Sequence, residues 1–221
     1  MRPDLLPTVV FDLDGTLVDT SADLLAAANA VLSRPVLGSD DRLTAFHGGR
    51  AMLRLGFTRL QEEWEEGDID AAYPKLLEAY RGAIAVQSRL YPGAMAAVAA
   101  LQHAGFAVSI CTNKPEGLAD LLLRALGVRD AFGALVGADT LPVRKPDPAP
   151  YRAAVERAGG SVARSMLVGD TETDAKTGVA AGVPVALVTF GPEGAGVARF
   201  QPAALLDRLE DLPDLAMRLL R

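Results

Sequence analysis

Asp12-Leu13-Asp14-Gly15-Thr16 is the stretch that decides the fold of this chain, and it follows an apolar, β-branched run over residues 8–11. Such a run is typical of a buried strand, and Gly15 lets the chain turn sharply directly after it. Two carboxylates one residue apart repel each other unless a cation neutralises them. Hard oxygen ligands of this kind suit Mg²⁺. An Asx turn capped by Asp14 would explain the same letters, so the rest of the chain has to decide.

A second acidic segment has the same form later in the chain. Residues 165–169 read as a strand that ends in glycine, and Asp170 and Asp174 follow it. Asp174 lies about one helical turn beyond Asp170, so both carboxylates can face one cation. A third strand, residues 106–112, ends in small polar groups. Since ligands bind outside the carboxyl ends of parallel strands, these segments predict one shared site.

Strands and helices alternate from residue 91 onward, whereas residues 21–87 show helical periodicity and no convincing strand. The alternation predicts an α/β fold, with a Rossmann-like parallel sheet and helices on both of its faces. The segment from Thr20 to Asp23 has the character of a capping box and predicts the first helix start. We therefore predict a core domain of residues 1–16 and 91–221, and an inserted all-helical domain of residues 17–90.

This ordered set of motifs resembles the haloacid dehalogenase superfamily of phosphohydrolases over nearly the whole chain. The motifs that carry the resemblance are Asp12-Leu13-Asp14-Gly15-Thr16, Thr112-Asn113, Lys145-Pro146, and Gly169-Asp170 with Asp174. Each string alone is weakly specific, but the four in this order are strongly specific. Tyr91-Pro92-Gly93 and Lys145-Pro146-Asp147-Pro148 are similar to the phosphoglycolate phosphatase branch. The resemblance implies that the inserted helices form a cap domain.

The resemblance also implies a role for each site residue. Asp12 would be the nucleophile and Asp14 the general acid and base, with Lys145 and Thr112 contacting the phosphoryl group. The implied ligands of Mg²⁺ are Asp12, the backbone carbonyl of Asp14, Asp170, and Asp174 through water or as a partner of Lys145. The expected substrate-binding residues are Gly15, Thr16, Asn113, Lys114 and Arg50. Lysine is scarce in this chain, with four lysines against eighteen arginines, so a lysine in a motif is informative.

Arg50 ends the segment His47-Gly48-Gly49-Arg50, ahead of an apparent helix. Two glycines expose amides to an anion, and the guanidinium adds a bidentate donor for a second acidic group on the substrate. An interhelical turn with a solvated Arg50 fits the segment equally well. The phosphoglycolate branch commonly has a Gly-Asn-Gly-like turn at this place, and the chain departs from it.

Composition bounds the partners and the location. The 221 residues, half of them hydrophobic, can bury a real core, and the net charge of −6 without a basic stripe argues against nucleic acid. No apolar run reaches membrane-spanning length, and residues 1–4 do not begin a signal peptide. The single cysteine, Cys111, excludes an internal disulfide and reads as a packing residue. We predict a cytoplasmic enzyme, a monomer or homodimer, that acts on a small phosphorylated molecule.

Competing functions differ in the residues that they require. A dehalogenase of this fold lacks Asp14 and needs no metal, and a phosphonatase needs a cap lysine, where only the mid-helix Lys75 is present. A phosphosugar mutase, or a phosphatase for sugar phosphates, nucleotides or pyrophosphate, shares the core motifs and stays open. In a phospho-receiver or binding module the accepting aspartate would end a middle strand, whereas residues 106–112 end in Thr112. We therefore predict a Mg²⁺-dependent phosphomonoester hydrolase, with phosphoglycolate as the substrate.

Overall fold

The computed structural model describes residues 5–61 and 63–220. The expectation that residues 1–4 begin no signal peptide lies outside the described residues. The chain divides into two compact units. The first, which we call the core unit, comprises the chain up to Val18 and again from Leu90 onward, and the second, the helical unit, spans Asp19–Arg89.

The secondary structure alternates in the core unit and is helical in the inserted unit. The strands are β1 (Leu6–Phe11), β2 (Val18–Asp19), β3 (Arg89–Leu90), β4 (Ala107–Cys111), β5 (Ala134–Val136), β6 (Gly160–Gly169), β7 (Val185–Val188) and β8 (Ala204–Leu206). The helices are α1 (Ser21–Asn29), α2 (Arg42–Phe46), α3 (Gly49–Leu60), α4 (Glu66–Gly82), α5 (Ala94–His103), α6 (Glu116–Ala125), α7 (Pro148–Arg157), α8 (Glu172–Ala181) and α9 (Leu212–Leu219). None of these helices is both long and apolar enough to cross a membrane.

The core unit is built on a six-stranded parallel sheet in the order β5-β4-β1-β6-β7-β8, with helices around it. This confirms the predicted fold class. β1 lies inside the sheet, and Val9, Val10 and Phe11 are fully buried, as expected for a parallel strand covered on both faces. Phe11 pairs with Ile110 of β4 and Val168 of β6. The carboxyl ends of these three strands therefore lie side by side.

The helical unit has a hydrophobic core of its own. Its buried members come from α1 to α4 and their connections: Leu25, Ala28, Leu32, Leu37, Ala45, Met52, Leu53, Ile69, Ala72 and Leu76. Trp64 is partly buried and packs against this cluster. At the edge of the unit, the guanidinium of Arg59 donates to both oxygens of the buried Asp41, each at 2.6 Å. The unit is thus held by apolar packing and by ion pairs that include this bidentate one.

Helix α1 begins at Ser21, as the sequence pattern predicts, but Asp23 does not close a capping box on it. Its buried carboxylate accepts hydrogen bonds from the backbone N–H groups of Gln87 (3.0 Å) and Ser88 (2.8 Å), and from the Ser88 hydroxyl (2.7 Å). The local pattern was therefore wrong about the partner of Asp23, because the returning chain supplies three better donors. Asp23 ties the last residues of the helical unit to its first helix.

Three further differences from the sequence expectations lie in the core unit. β6 begins at Gly160, five residues before the predicted start. β8 and α9 were not predicted. β8 has only three residues and is half exposed, so it lacks the continuous apolar run that identifies a buried strand.

Candidate active site

The carboxyl ends of β1 and β6 bring three carboxylates together. One oxygen from each of Asp12, Asp170 and Asp174 lies within 4.8 Å of the others. Asp170 and Asp174 are fully buried, and Oδ2 of Asp170 has no hydrogen-bond partner among the described residues. A buried carboxylate oxygen without a partner costs free energy, and a bound cation would remove that cost. The set consists of hard oxygen donors only, which fits a Mg²⁺-like ion.

Glycines form the walls of this three-carboxylate cluster. Gly15 has φ +83°, and a Cβ on it would lie 2.3 Å from Oδ2 of Asp170. A Cβ on Gly169 would lie 2.3 Å from Cγ of Asp174, and one on Gly191 would lie 3.1 Å from Cβ of Asp170. Side chains at these positions would displace the carboxylates. Backbone therefore packs directly against the two buried aspartates.

Gly15 was expected to bind substrate, with backbone amides near it donating to the phosphoryl group. Its N–H donates to the carbonyl of Val18 at 2.9 Å, inside the turn that follows β1. That donor is already used, so the contribution of Gly15 in this structure is steric. Thr16, also expected to bind substrate, is fully buried and donates its hydroxyl to Oδ1 of Asp170 at 2.8 Å. Thr16 therefore orients a carboxylate of the cluster.

Lys145 is the cation of the cluster. Its Nζ lies 2.7 Å from Oδ1 of Asp174 and 3.1 Å from Oδ2 of Asp12, and its side chain is 1% exposed. The peptide bond between Lys145 and Pro146 is cis. Asn113 was expected at the substrate, and its side-chain amide donates to the carbonyl of Lys145 at 3.0 Å. Asn113 thereby fixes the loop that presents the lysine.

The protonation of the cluster follows from its burial and its charges. Burial raises the pKa of Asp12 to about 6, with Lys145 opposing the shift and Asp174 adding to it. Burial, followed by the charges of Asp12 and Asp174, also holds the pKa of Asp170 well above its ordinary value. Burial disfavours charge on Lys145, but the carboxylates of Asp12 and Asp174 outweigh it and raise its pKa. One ammonium thus faces three carboxylates, an excess of negative charge that a divalent cation would balance.

Asp14 faces a different lysine from Asp12 and Asp174. Nζ of Lys114 lies 3.0 and 3.1 Å from the two carboxylate oxygens of Asp14. The side chains are 4% and 18% exposed, respectively. Thr112 directly follows β4 and is buried. Its hydroxyl oxygen accepts a hydrogen bond from the backbone N–H of Lys114 at 3.2 Å. The hydroxyl proton of Thr112 remains available for a further acceptor.

Two residues of the site were missed by sequence reasoning. Thr171 donates its hydroxyl (2.8 Å) and its N–H (3.2 Å) to Oδ2 of Asp174, which leaves Oδ1 for Lys145. Gly191 packs on Asp170 from the loop after β7. Gly191 belongs to no motif in the sequence.

The structure also describes the surroundings of Cys111 and Arg50, two further residues considered from the sequence. Cys111 is fully buried in β4, and burial raises the pKa of its thiol to about 12, so it is a packing residue and no nucleophile. Arg50 belongs to the helical unit. Its guanidinium donates to Asp70 at 2.6 Å and lies 4.8 Å above the centre of the Tyr73 ring. These contacts supply a structural role for Arg50 alongside the one proposed for it at the substrate.

The chain matches a family model described as haloacid dehalogenase-like hydrolase over residues 6–182. It is 39% identical over 220 residues to the phosphoglycolate phosphatase of Mesorhizobium japonicum, with 97% of each chain covered. It is also 39% identical over 210 residues to that of Agrobacterium fabrum, covering 93% of this chain and 90% of the relative. Among solved structures, one described as a predicted phosphoglycolate phosphatase from Haemophilus somnus 129PT superimposes with a TM-score of 0.83 at 25% identity, covering 95% of this chain and 97% of that one.

Proposed function

The chain belongs to the haloacid dehalogenase-like hydrolases, and we propose that it is a Mg²⁺-dependent phosphatase that hydrolyses phosphoglycolate through an aspartyl-phosphate on Asp12. One observation carries the proposal: Lys145 contacts Asp12 in a carboxylate cluster where, among the residues that the structure describes, one oxygen of Asp170 has no hydrogen-bond partner. A phosphomonoester dianion repels a carboxylate nucleophile, so attack requires positive charge beside it. The cluster supplies the nucleophile, one cation and a place for a second. The named activity of the relatives supports phosphoglycolate as the substrate.

The proposed reaction has two steps, and the positions of these residues suggest a role for each of them. In the first, a carboxylate oxygen of Asp12 attacks phosphorus, the bond to the leaving oxygen breaks, and Asp14 gives that oxygen a proton. Lys145 neutralises charge on Asp12 and on a phosphoryl oxygen, while the Thr112 hydroxyl donates to another. In the second step, Asp14 takes a proton from water, which attacks the aspartyl-phosphate. Inorganic phosphate leaves, and Asp12 returns to its carboxylate form.

The metal would be held by the side chains of Asp12 and Asp170 and by the backbone carbonyl of Asp14. Asp174 would contribute through water or through its ion pair with Lys145. When bound, Mg²⁺ supplies positive charge that offsets the carboxylates and the phosphoryl oxygens. The fit rests on the orphaned oxygen of Asp170 and on the oxygen-only donor set.

The helical unit would act as a cap that selects the substrate, as residues 17–90 were interpreted from the sequence. In that role Arg50 would bind the carboxylate of phosphoglycolate, since a guanidinium recognises a planar acidic group by two parallel hydrogen bonds. The proposal places the enzyme in the cytoplasm, as a monomer or homodimer, in line with its single buried cysteine.

The test is a hydrolysis screen with Mg²⁺ over phosphoglycolate, sugar phosphates, nucleotides and pyrophosphate, compared as kcat/KM. The proposal requires phosphoglycolate to lead the series and to release inorganic phosphate. Analysis of the products from a hexose 1-phosphate separates a hydrolase from a mutase. Isomerised sugar phosphate in place of free phosphate would replace the proposal by the mutase function.

A further inference from the structure

Lys114 and Asp14 form a second buried ion pair beside the carboxylate cluster. Both oxygens of Asp14 lie within 3.1 Å of the ammonium of Lys114, whose side chain is 4% exposed. A buried lysine loses most of its hydration, so an ion pair of this kind is poor evidence for stability and calls for another reason. The sequence assigned Lys114 to the substrate, whereas the structure gives it to Asp14.

The two buried lysines contact three of the four carboxylates, and they share none of them. Lys145 contacts Asp12 and Asp174, and Lys114 contacts Asp14. Asp14 is only two residues from Asp12, yet the group of carboxylates close enough to share a metal ion contains Asp12, Asp170 and Asp174. The side chain of Asp14 is therefore directed to a partner other than the metal-capable cluster.

The backbone around Lys114 is braced, which suits a residue that holds another in place. The carbonyl of Lys114 accepts from the N–H of Ala138 at 3.0 Å, in the loop after β5. Two residues on, the N–H of Glu116 donates to Asp139 at 2.7 Å, and the Glu116 carboxylate also accepts from the Thr140 hydroxyl. The loops after β4 and β5 are thus tied together, and Lys114 extends from a fixed base.

We infer that Lys114 is a positioning residue, which keeps the Asp14 carboxylate out of the metal cluster and available to the leaving group and to water. This inference rests on the proposed function, because the positions matter only if Asp14 moves the protons. It differs from the sequence-based expectation in that Lys114 acts through Asp14 and not through a contact with substrate.

Metal titration tests the first half of the inference without any catalytic turnover. Without Lys114 the Asp14 carboxylate can join the cluster, and an added carboxylate ligand strengthens divalent-cation binding. Calorimetric titration of the metal-free Lys114→Met protein with Mg²⁺ should show affinity raised by about tenfold. The Lys114→Met/Asp14→Asn double variant should lose this gain. The matched control is Lys176→Met, which removes the same charge from an exposed pair with Glu172 on α8. Unchanged affinity in Lys114→Met would overturn the inference.

A double-mutant cycle tests the second half. Lys114→Met should lower kcat/KM for an alkyl phosphate about tenfold or more beyond its effect on p-nitrophenyl phosphate, whose leaving group needs no proton. Asp14→Asn should show the same preference, and the double variant should be no worse than Asp14→Asn alone. Lys114→Arg, which keeps a cation, should recover part of the loss. Equal losses on both substrates that add to those of Asp14→Asn would make Lys114 a substrate contact and refute the positioning role. If no phosphate ester is hydrolysed, the proposed function fails, and the metal titration still decides the placement of Asp14.

Discussion

The two units of the chain differ in whether they bury the cations of their ion pairs. The core unit buries two of its lysines against carboxylates, with Lys145 1% and Lys114 4% exposed. The helical unit instead pairs arginines with acids near its surface, where Arg42 and Arg50 are 50% and 43% exposed. Surface pairs contribute little to stability, whereas buried pairs lose much hydration and are seldom kept for stability alone. The contrast supports the proposal that the chemistry lies in the core unit.

Within this comparison, removing the proposed nucleophile of the core unit should have the largest effect on activity. Asp12→Asn should lower kcat for every phosphate ester by at least about 10³-fold, because an amide cannot form the aspartyl-phosphate. Circular dichroism should show an unchanged fold, since Asp12 lies beyond the end of β1. Steady-state hydrolysis of phosphoglycolate and p-nitrophenyl phosphate measures the loss. Activity within tenfold of the wild type would remove Asp12 from the mechanism.

Removal of the metal ion should cause the second largest loss of activity. EDTA should reduce activity by roughly 10³-fold and Mg²⁺ should restore it, since one ammonium cannot balance three carboxylates and a phosphate. Because burial raises the pKa of Asp12 to about 6, protons compete with the metal below that pH. The Mg²⁺ concentration for half-maximal activity should therefore rise as pH falls through about 6. Full activity in EDTA would contradict the metal site, and a helical-unit variant such as Asp41→Asn should leave this dependence unchanged.

A smaller and selective effect is expected at Arg50. Arg50→Ala should lower kcat/KM for phosphoglycolate by about 1.5–3 kcal/mol in transition-state terms, the usual contribution of a charged hydrogen bond. p-Nitrophenyl phosphate has no second anion and should hardly be affected. Asp70→Ala is the matched control, because it removes the ion-pair partner of Arg50 and keeps the guanidinium. If both substrates suffer equally, Arg50 supports the helical unit through Asp70 and Tyr73 and does not select the substrate.

The smallest effect is on stability alone. Asp41→Asn should lower the free energy of unfolding by about 1–2 kcal/mol near neutral pH, since it breaks a charged pair with a half-exposed arginine. Hydrogen bonds from Arg59 hold the pKa of Asp41 below its ordinary value, so this contribution is present at neutral pH and lost as pH falls through the lowered pKa. Thermal melts of both proteins between neutral and acidic pH should therefore converge in acid, while kcat stays unchanged. A gap that is constant with pH would show that the pair contributes nothing electrostatic.

Local sequence patterns predicted the buried strands and the sheet type, because these depend on the order of apolar and polar residues along the chain. The run before Asp12 specifies a buried parallel strand, and the alternation after residue 91 specifies the sheet. Strand ends of a parallel sheet share one edge, so the meeting of Asp12 with Asp170 could be expected from topology alone.

Pairings between distant residues could not be predicted in the same way. Asp14 and Lys114 are 100 residues apart, and nothing in either motif specifies which lysine faces which carboxylate. Asp23 shows the same limit. The local pattern predicts a capping box, but the donors that bind its carboxylate come from 64 and 65 residues further along the chain. Gly191 carries no motif, and only the three-dimensional approach to Asp170 identifies it.

The position of Trp64 has a spectroscopic consequence. It is the only tryptophan of the chain, and it packs against the hydrophobic core of the helical unit. Intrinsic tryptophan fluorescence therefore reports on the helical unit alone, whereas far-ultraviolet circular dichroism sums both units. Denaturant titrations followed by the two signals coincide if the chain unfolds as one cooperative body, and they separate if the helical unit unfolds by itself. The native chain thus carries a built-in fluorophore for one of its two units, with no label added.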